Sequence, residues 1–344
     1  MSSSAPLRAA RSQDAAGRAV PAAAAAAIAA ALLAVVQTRV KMKMLLAERF
    51  FPGAGWIEIA LLAAWAAFLT TRLLPAADAP RWRARLWSLF SIVFFGQLAL
   101  GLAGIERMLM TGKLHLPVPA LIVGGPLYRG EGLFMPILFA STVLLVGPAW
   151  CSHLCYIGAW DNGCARLSRR APQPAIAFAG GGRRRLLRWA MLALVVAGAL
   201  ALRLGGVRGG IAAALGAVFG IVGVALMLTW SRRTGLMAHC AWYCPIGILS
   251  TRLGKANPWR IRVTDRCTRC GACSLACRYD ALTREDVECG RPNASCTLCG
   301  DCLGACRHGA LEYRFPGLAP GTARTAFVVA VAALHAVFLG VARL

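Results

Sequence analysis

Fourteen cysteines lie between Cys151 and Cys306, and eight of them form a tandem repeat at an offset of 29 residues. The first copy reads CTRCGACSLACRYDAL from Cys267, the second reads CTLCGDCLGACRHGAL from Cys296, and ten of the 16 positions are identical. Each copy contains C-x2-C-x2-C-x3-C. Three closely spaced thiols on a tight loop, followed by a fourth, form the ligand pattern of [4Fe–4S] clusters.

In two-cluster ferredoxins the fourth cysteine of each run ligates the other cluster. The spacing therefore predicts two ligand sets, which are Cys267, Cys270, Cys273 and Cys306 for one cluster and Cys296, Cys299, Cys302 and Cys277 for the other. Gly271 and Gly300 suit loops whose backbone approaches inorganic sulfide closely. A zinc module would instead pair two C-x2-C knuckles. The segment resembles a small α+β ferredoxin domain of the bacterial two-cluster type.

Two arginines depart from the pattern of that family, which usually has proline after the fourth cysteine of each run. Arg278 and Arg307 occupy these positions. A nearby cation stabilises the more negative, reduced cluster, so the arginines predict potentials above those of the lowest-potential ferredoxins. The alternative is that both are solvated surface side chains.

A different cysteine motif closes one apolar segment and recurs after another, as WCSHLCYIG and HCAWYCPIG. The shared core is C-x3-C-x-I-G, and a helix would place both sulfurs of a pair on one face. The two halves look like duplicated two-helix units that meet around four thiols, which are Cys151, Cys155, Cys240 and Cys244.

Four roles are open for these thiols. They could hold a third [4Fe–4S] cluster, which four thiolates from two symmetric halves favour, or form redox-active dithiol or disulfide pairs. They could bind copper, since soft thiolates select Cu(I), with His153 and His239 assisting. They could also pack as small buried hydrophobes.

Apolar segments of membrane-spanning length explain the composition, in which 58% of residues are hydrophobic and 15% are charged. A helix needs about 17–25 residues to cross the hydrocarbon core. The predicted spans are roughly 20–36, 56–74, 86–105, 133–150, 186–204, 211–230 and 325–342. The first is mostly alanine and could instead be an interfacial or targeting helix. The sequence thus predicts an α-helical membrane protein with six or seven spans.

The formal net charge of +24 does not indicate nucleic acid, because the basic residues form no amphipathic stripe or known reader motif. They cluster beside the apolar segments, as loop charges do under the positive-inside rule. Most flank the cysteine-bearing regions, and thiols that serve as metal ligands must stay reduced. The ferredoxin segment is therefore predicted on the cytoplasmic side of a bacterial inner membrane.

These features predict five units, namely an N-terminal cytoplasmic tail at 1–19, a helical membrane domain at 20–230 with C-x3-C at 151–155, a connector at 231–259 with C-x3-C-P at 240–245, the ferredoxin domain at 260–315 and a last span at 325–342.

His335 in the last span has no convincing histidine partner, so no haem is expected. Gln97, Glu58 and Glu106, in or near spans, are either candidates for a quinone pocket or interfacial residues.

Apolar hairpins that end in C-x3-C-P, followed by a two-cluster ferredoxin segment, resemble the NapH/NosR/CcoG group of membrane polyferredoxins. The resemblance covers roughly residues 86–315; Tyr156 stands where that group usually has proline, which Pro245 keeps. It implies electron transfer between the quinol pool, or a cytoplasmic donor, and a partner redox protein or complex, as in a quinol dehydrogenase subunit of an oxidoreductase. No flavin-attachment segment is visible, so no covalent flavin is expected.

Two other functions are compatible with the same motifs. Some members of the group resemble copper reductases that serve oxidase assembly, so a metal-handling protein is one alternative. A redox-sensing membrane anchor is the other.

Overall fold

Long apolar helices pack beside a small cysteine-rich domain. The structure, a computed structural model, describes residues 5–109, 116–168 and 181–341. In these ranges the α-helices are α1 (Ala5–Arg39), α2 (Leu46–Phe50), α3 (Gly55–Leu73), α4 (Ala79–Leu102), α5 (Leu121–Arg129), α6 (Phe134–Val146), α7 (Tyr156–Arg166), α8 (Gly181–Leu204), α9 (Gly209–Leu226), α10 (Arg232–Thr234), α11 (Pro245–Leu253), α12 (Ala272–Ala276), α13 (Arg284–Glu288), α14 (Asp301–Ala305) and α15 (Pro320–Val341). The strands are β1 (Arg260–Val263) and β2 (Leu311–Arg314).

Within the described ranges, seven helical stretches are long and apolar enough to cross a membrane. They are Gly17–Arg39, Gly55–Leu73, Ala79–Leu102, Phe134–Leu154, Arg185–Leu204, Gly209–Thr234 and Pro320–Val341. The predicted fold class, an α-helical membrane protein with a small ferredoxin domain, is confirmed. Helix α1 begins at Ala5, so most of the segment predicted as an N-terminal tail is helical. Residues 1–4 of that tail and residue 342 of the last predicted span lie outside the described residues.

The alanine content of α1 is explained by its packing against α3 and α15. Ala25 and Ala29 of α1 are fully buried in one cluster with Ala66 of α3 and with Ala333 and Ala336 of α15. Small side chains let helix backbones approach closely, which is how helices associate where lipid supplies no hydrophobic driving force. The first segment is therefore built for helix contact rather than for contact with lipid on all sides.

His335 is fully buried where α15 meets α3 and α4. Its Nε2 donates to the carbonyl oxygen of Leu86 at 2.9 Å, and its Nδ1 accepts from the indole N–H of Trp65 at 3.3 Å. Both ring nitrogens are used by protein groups, so the structure gives His335 the role of joining three helices.

The cysteine-rich domain has an internal two-fold pattern that follows the sequence repeat. The strands β1 and β2 pair antiparallel. Arg269 and Leu298, at equivalent positions of the two copies, both have a φ of 56°, and Gly271 and Gly300 have φ of 77° and 79°. A positive φ is unusual for a side chain as bulky as leucine. Its recurrence at the same position shows that the two cysteine loops fold alike.

A buried ion pair fastens this domain to the membrane helices. Arg83, near the start of α4, is 1% exposed, and its Nε and Nη2 donate to the two carboxylate oxygens of Asp301 at 2.8 and 2.6 Å. Its Nη1 donates to the carbonyl oxygen of Ser152 at 3.0 Å, and its Cζ lies 5.2 Å from the ring centroid of Trp87. A bidentate pair of this kind fixes orientation as well as distance.

Arg278 makes a second attachment. Its Nη1 donates to the carbonyl oxygens of Ala165 and Gly235, each at 2.9 Å. The alternative in which both repeat arginines are solvated surface residues is therefore wrong for Arg278, because it is part-buried against the membrane domain. Arg307, at the equivalent position, is exposed.

Replacing Arg83 by Met should lower the free energy of unfolding by about 3–5 kcal/mol, because the carboxylate of Asp301 stays buried without its counter-charge. The double variant Arg83→Met/Asp301→Leu should lose less than the sum of the two single variants, because neither charge is then left unpaired. Denaturant unfolding in detergent measures both. Arg81→Met, at an exposed neighbour, is the matched control, and strictly additive losses would contradict the coupling.

Candidate metal centres

Four cysteines of the ferredoxin domain, here called the outer tetrad, line one cavity; they are Cys267, Cys270, Cys273 and Cys306. Cys270 is exposed. The backbone N–H of Ala272 holds the pKa of the Cys270 thiol below its ordinary value, and the hydroxyl of Thr268 and the charge of Arg307 act in the same direction. An exposed thiol with a lowered pKa is well disposed to become a thiolate ligand.

Four further cysteines form the inner tetrad, which consists of Cys277, Cys296, Cys299 and Cys302. Burial raises the pKa of Cys296 to about 12 and that of Cys299 to about 11. Burial also raises the pKa of Cys277 and Cys302, and the neighbouring charges of Cys299 and Cys296 raise it further, which requires the four thiols to lie close to one another. Each tetrad takes its fourth member from the other cysteine run, the same grouping that the spacing predicts.

Backbone amides reach equivalent sulfurs in the two tetrads. The N–H of Ala281 lies 3.2 Å from Cys277 Sγ, and the N–H of Ala310 lies 3.3 Å from Cys306 Sγ. Hydrogen bonds to cluster sulfurs are one way in which a protein sets a reduction potential. Both donors are main-chain groups at equivalent repeat positions, so the fold itself supplies them.

The C-x3-C cysteines also meet, and form the membrane-edge tetrad. All four line one cavity beside the end of the fourth span; they are Cys151, Cys155, Cys240 and Cys244. Burial raises the pKa of Cys155 and of Cys240, and the mutual charges of the tetrad add to the rise. Two motifs far apart in the chain therefore build a single site, as duplicated hairpins predict.

Both C-x3-C motifs form a single π-helical turn, at Trp150–Leu154 and His239–Tyr243, instead of an α-helical one. The N–H of Cys155 donates to the carbonyl oxygen of Trp150 at 3.0 Å, and the N–H of Cys244 donates to that of His239 at 2.8 Å. The backbone is extended at each second cysteine, after which α7 or α11 begins. Single π turns inside helices are frequent at functional sites.

Asp161 in α7 ties the two halves together. It is fully buried, and its Oδ1 accepts from Ser231 Oγ at 2.6 Å while its Oδ2 accepts from the N–H of Cys240 at 2.9 Å. Burial raises the pKa of Asp161 to about 6, and these hydrogen bonds oppose the rise. The carboxylate of one half therefore holds the first cysteine of the other half in place.

Gly158 and Gly247, which end the two C-x3-C-x-I-G cores, allow the helices that contain them to pack closely against neighbouring groups. A Cβ on Gly247 would lie 2.9 Å from the carbonyl oxygen of Cys240, and a Cβ on Gly158 would overlap Cζ2 of Trp87. Real Cβ atoms do not approach neighbours so closely. Glycine is therefore needed for each new helix to pack where it does.

Arg188 is a site residue that the sequence does not single out, since it follows a run of arginines typical of a cytoplasmic loop. It is 6% exposed and lines the membrane-edge cavity. Its Nη2 lies 3.2 Å from Thr251 Oγ1, and its Nη1 lies 3.4 Å from Ser295 Oγ. Its charge opposes the rise in the pKa of Cys244 that burial causes. The available signal is its position inside an apolar segment, where charges mark function.

The membrane-edge cavity adjoins the inner tetrad. Thr297, on the cysteine loop of the inner tetrad, lines this cavity, and its carbonyl oxygen accepts from Ser152 Oγ at 2.9 Å. Tyr279 lines it as well, and its hydroxyl donates to the carbonyl oxygen of Cys151 at 3.3 Å. Two residues are thus shared by the cavity wall and the surroundings of the inner tetrad.

The histidines beside the C-x3-C motifs do not line the cavity. His153 Nδ1 lies 3.0 Å from Ser152 Oγ, and its ring meets Phe327 edge-on. His239 is buried against Gly223. The geometry therefore does not bring either imidazole to the membrane-edge thiols.

The remaining candidates lie apart from the three tetrads. Cys164 is half-buried and Cys289 is exposed. Glu58 Oε2 accepts from the N–H of Ala47 at 2.7 Å, Glu106 is exposed and Gln97 is buried in α4. None of these three polar residues lines the membrane-edge cavity or the cavity of the outer tetrad.

Each tetrad offers four thiols. [4Fe–4S] clusters are held by four Cys thiolates. Burial keeps free thiols protonated, and iron would take the place of the proton. The donor sets therefore fit [4Fe–4S] clusters.

Two family models match the chain, and both are described as a 4Fe-4S binding domain. One matches residues 129–173 and 213–262, which include both C-x3-C motifs, and the other matches residues 261–283 in the first cysteine run. Searches of curated proteins and of solved structures gave no significant match.

The fold and the two family matches together define the class of protein to which this chain belongs. The chain is a multi-span helical membrane protein that carries ferredoxin-type 4Fe-4S binding domains. Such domains transfer electrons one at a time.

Replacing Asp161 by Ala should speed hydrogen exchange at the amide of Cys240 by about 10-fold or more, because losing a buried acceptor costs about 1–3 kcal/mol. Asp161→Asn keeps one oxygen acceptor and should have a smaller effect. Hydrogen exchange followed by mass spectrometry measures both, with Glu285→Ala, at an exposed carboxylate, as the control. Unchanged exchange at Cys240 would contradict the role assigned to Asp161.

Proposed function

We propose that this chain holds three [4Fe–4S] clusters, one in each tetrad, and conducts electrons between the membrane and a partner redox protein or complex. The observation that carries the proposal is the continuity of the sites, because Thr297 and Tyr279 border both the membrane-edge cavity and the inner tetrad. The inner and outer tetrads share the two cysteine runs. Three adjacent one-electron sites form a path from the membrane edge to an exposed end.

Residues around each tetrad favour the reduced, more negative state of a bound cluster. A bound cluster supplies a reversible one-electron step. Arg188 places a positive charge at the membrane-edge cavity, backbone amides donate to sulfurs of the two ferredoxin tetrads, and Cys277 and Cys302 of the inner tetrad are buried from water. Since each reduction adds a negative charge, fixed cations and N–H groups favour it.

The proposal includes the electron donor and the cellular location of the protein. A quinol pool or a cytoplasmic donor would exchange electrons with the chain, and the bacterial inner membrane, with the ferredoxin domain on its cytoplasmic side, would be its location. The basic residues beside the cysteine-bearing regions support that orientation. The motif order supports membership of the NapH/NosR/CcoG group of membrane polyferredoxins.

Copper handling is the less favoured function. The membrane-edge thiols are soft ligands that suit Cu(I). However, His153 and His239 lie outside the cavity, and one 4Fe-4S binding model covers both C-x3-C motifs. These observations favour a cluster at the membrane edge.

Anaerobically purified protein should contain about twelve irons and twelve acid-labile sulfides per chain, four of each for every cluster. Cys240→Ala should remove about four irons and abolish one EPR signal of the reduced protein. Cys289→Ala, at an exposed cysteine outside the tetrads, should keep all twelve. About eight irons in the unmodified protein would disprove the third cluster and leave the other two.

Arg188→Gln should lower the midpoint potential of the membrane-edge cluster by roughly 60 mV, since a 59 mV change for one electron is a tenfold change in the equilibrium constant. Arg188→Lys should have a smaller effect because it keeps the charge. An EPR-monitored redox titration measures this, with Arg185→Gln, at an exposed arginine, as the control. Equal shifts of all three clusters, or no shift, would contradict the placement of Arg188.

A further inference from the structure

The two-fold pattern of the ferredoxin domain gives it two equivalent faces, one around each tetrad. Positions that differ by 29 residues correspond. The inner face consists of Arg278, Tyr279, Thr297, Leu298, Asp301 and Gly304. The outer face consists of the corresponding residues Arg307, His308, Thr268, Arg269, Ala272 and Leu275.

Every position of the inner face contacts the membrane domain. Arg278, Tyr279, Thr297 and Asp301 make the hydrogen bonds described above. A Cβ on Gly147 would meet Leu298 Cδ1 at 3.1 Å, and one on Gly304 would lie 2.7 Å from the carbonyl oxygen of Ala76. The inner face is therefore a complete docking surface for another protein domain.

The outer face is open. Thr268, Arg269, Arg307 and His308 are exposed, Leu275 is 57% exposed and Ala272 is partly exposed. The exposed thiol of Cys270 lies in the same loop. The same backbone geometry that receives the membrane domain around the inner tetrad is thus presented to solvent around the outer tetrad.

The two faces differ in charge at two pairs of corresponding positions, Asp301/Ala272 and Leu298/Arg269. Asp301 of the inner face accepts from a membrane-domain arginine, whereas the outer face has Ala272 at that position. The outer face carries Arg269 and Arg307, and neither appears in any of the ion pairs among the described residues. An exposed leucine on the same face as two arginines outside these ion pairs is the composition of an interaction surface whose partner is acidic.

We propose that the outer face is the docking site of a small acidic one-electron carrier protein, seated on the outer tetrad as the membrane domain is seated on the inner one. The proposal rests on the proposed function, because a carrier is useful there only if the outer tetrad holds a cluster. Transfer at this face moves one electron and makes no bond, so whichever side gives the electron is oxidised and the other is reduced. The basic residues also disfavour a second copy of this chain, whose face would carry the same charge.

The test measures binding of an acidic flavodoxin, and of a basic cytochrome c of similar size, to the holoprotein in detergent at low and high salt. Flavodoxin should bind more tightly, and its affinity should fall as salt rises. Arg269→Glu/Arg307→Glu should weaken flavodoxin binding by about 10-fold or more at low salt. Arg284→Glu/Arg291→Glu, which reverses two exposed charges of the same domain elsewhere, should weaken it much less.

Three results would overturn the inference. They are tighter binding of cytochrome c, equal effects of the two double variants, and self-association of the holoprotein that Arg269→Glu/Arg307→Glu abolishes. Iron and sulfide content, measured on the same samples, separates this inference from the proposed function. If the samples contain iron and sulfide but flavodoxin binding does not depend on Arg269 and Arg307, this docking site is disproved and the proposed electron transfer is not. Samples without iron would remove the proposed function itself.

Discussion

The buried pair between Arg83 and Asp301 is the constraint on which the arrangement of the sites depends. It joins the start of a membrane helix to the start of α14, which carries Cys302 of the inner tetrad, through two short hydrogen bonds between buried side chains. A buried ion pair is a weak source of net stability, because desolvation of both charges offsets their attraction. Its value here is geometric, since the fork fixes which side of the ferredoxin domain faces the membrane-edge cavity.

The two copies of the repeat in the ferredoxin domain have the same backbone fold but differ in the environment and the side chains of corresponding positions. Thr268 and Thr297 are identical, yet one is exposed and the other lines the membrane-edge cavity. The copies differ at Ala272 and Asp301, and only the acidic residue can pair with the membrane helix. A symmetric fold with asymmetric side chains thus gives one end buried against the membrane domain and one end open to solvent.

The membrane-edge site has a parallel construction from two halves of the membrane domain. Each half supplies a π turn with two cysteines and a glycine that allows the next helix to pack. Asp161 from one half holds the backbone of the other at Cys240. Buried thiols favour their neutral form, and the backbone N–H groups of Gly247 and Ile246, with the charge of Arg188, make negative charge at Cys244 less costly.

The sequence by itself determined the elements whose signals are local. The seven predicted apolar segments correspond to seven helical stretches of spanning length in the described part of the chain, because length and apolarity alone decide whether a helix suits a membrane. The spatial grouping of the eight ferredoxin cysteines into two sets of four was also readable, because the C-x2-C-x2-C-x3-C spacing constrains a short loop directly. The C-x3-C pairs were readable as a duplicated unit, although their π-helical form was not, because an i, i+4 spacing is compatible with either kind of turn.

Only the tertiary structure decided what depends on contacts between distant segments. Arg83, Arg188 and Arg278 look alike in sequence, as basic residues beside apolar segments or cysteines. In the structure one pairs with Asp301, one lines the membrane-edge cavity and one binds carbonyl groups of the membrane domain. The physical reason is that an arginine's role is set by which acceptors and thiols surround its guanidinium, and those come from residues 43 to 218 positions away.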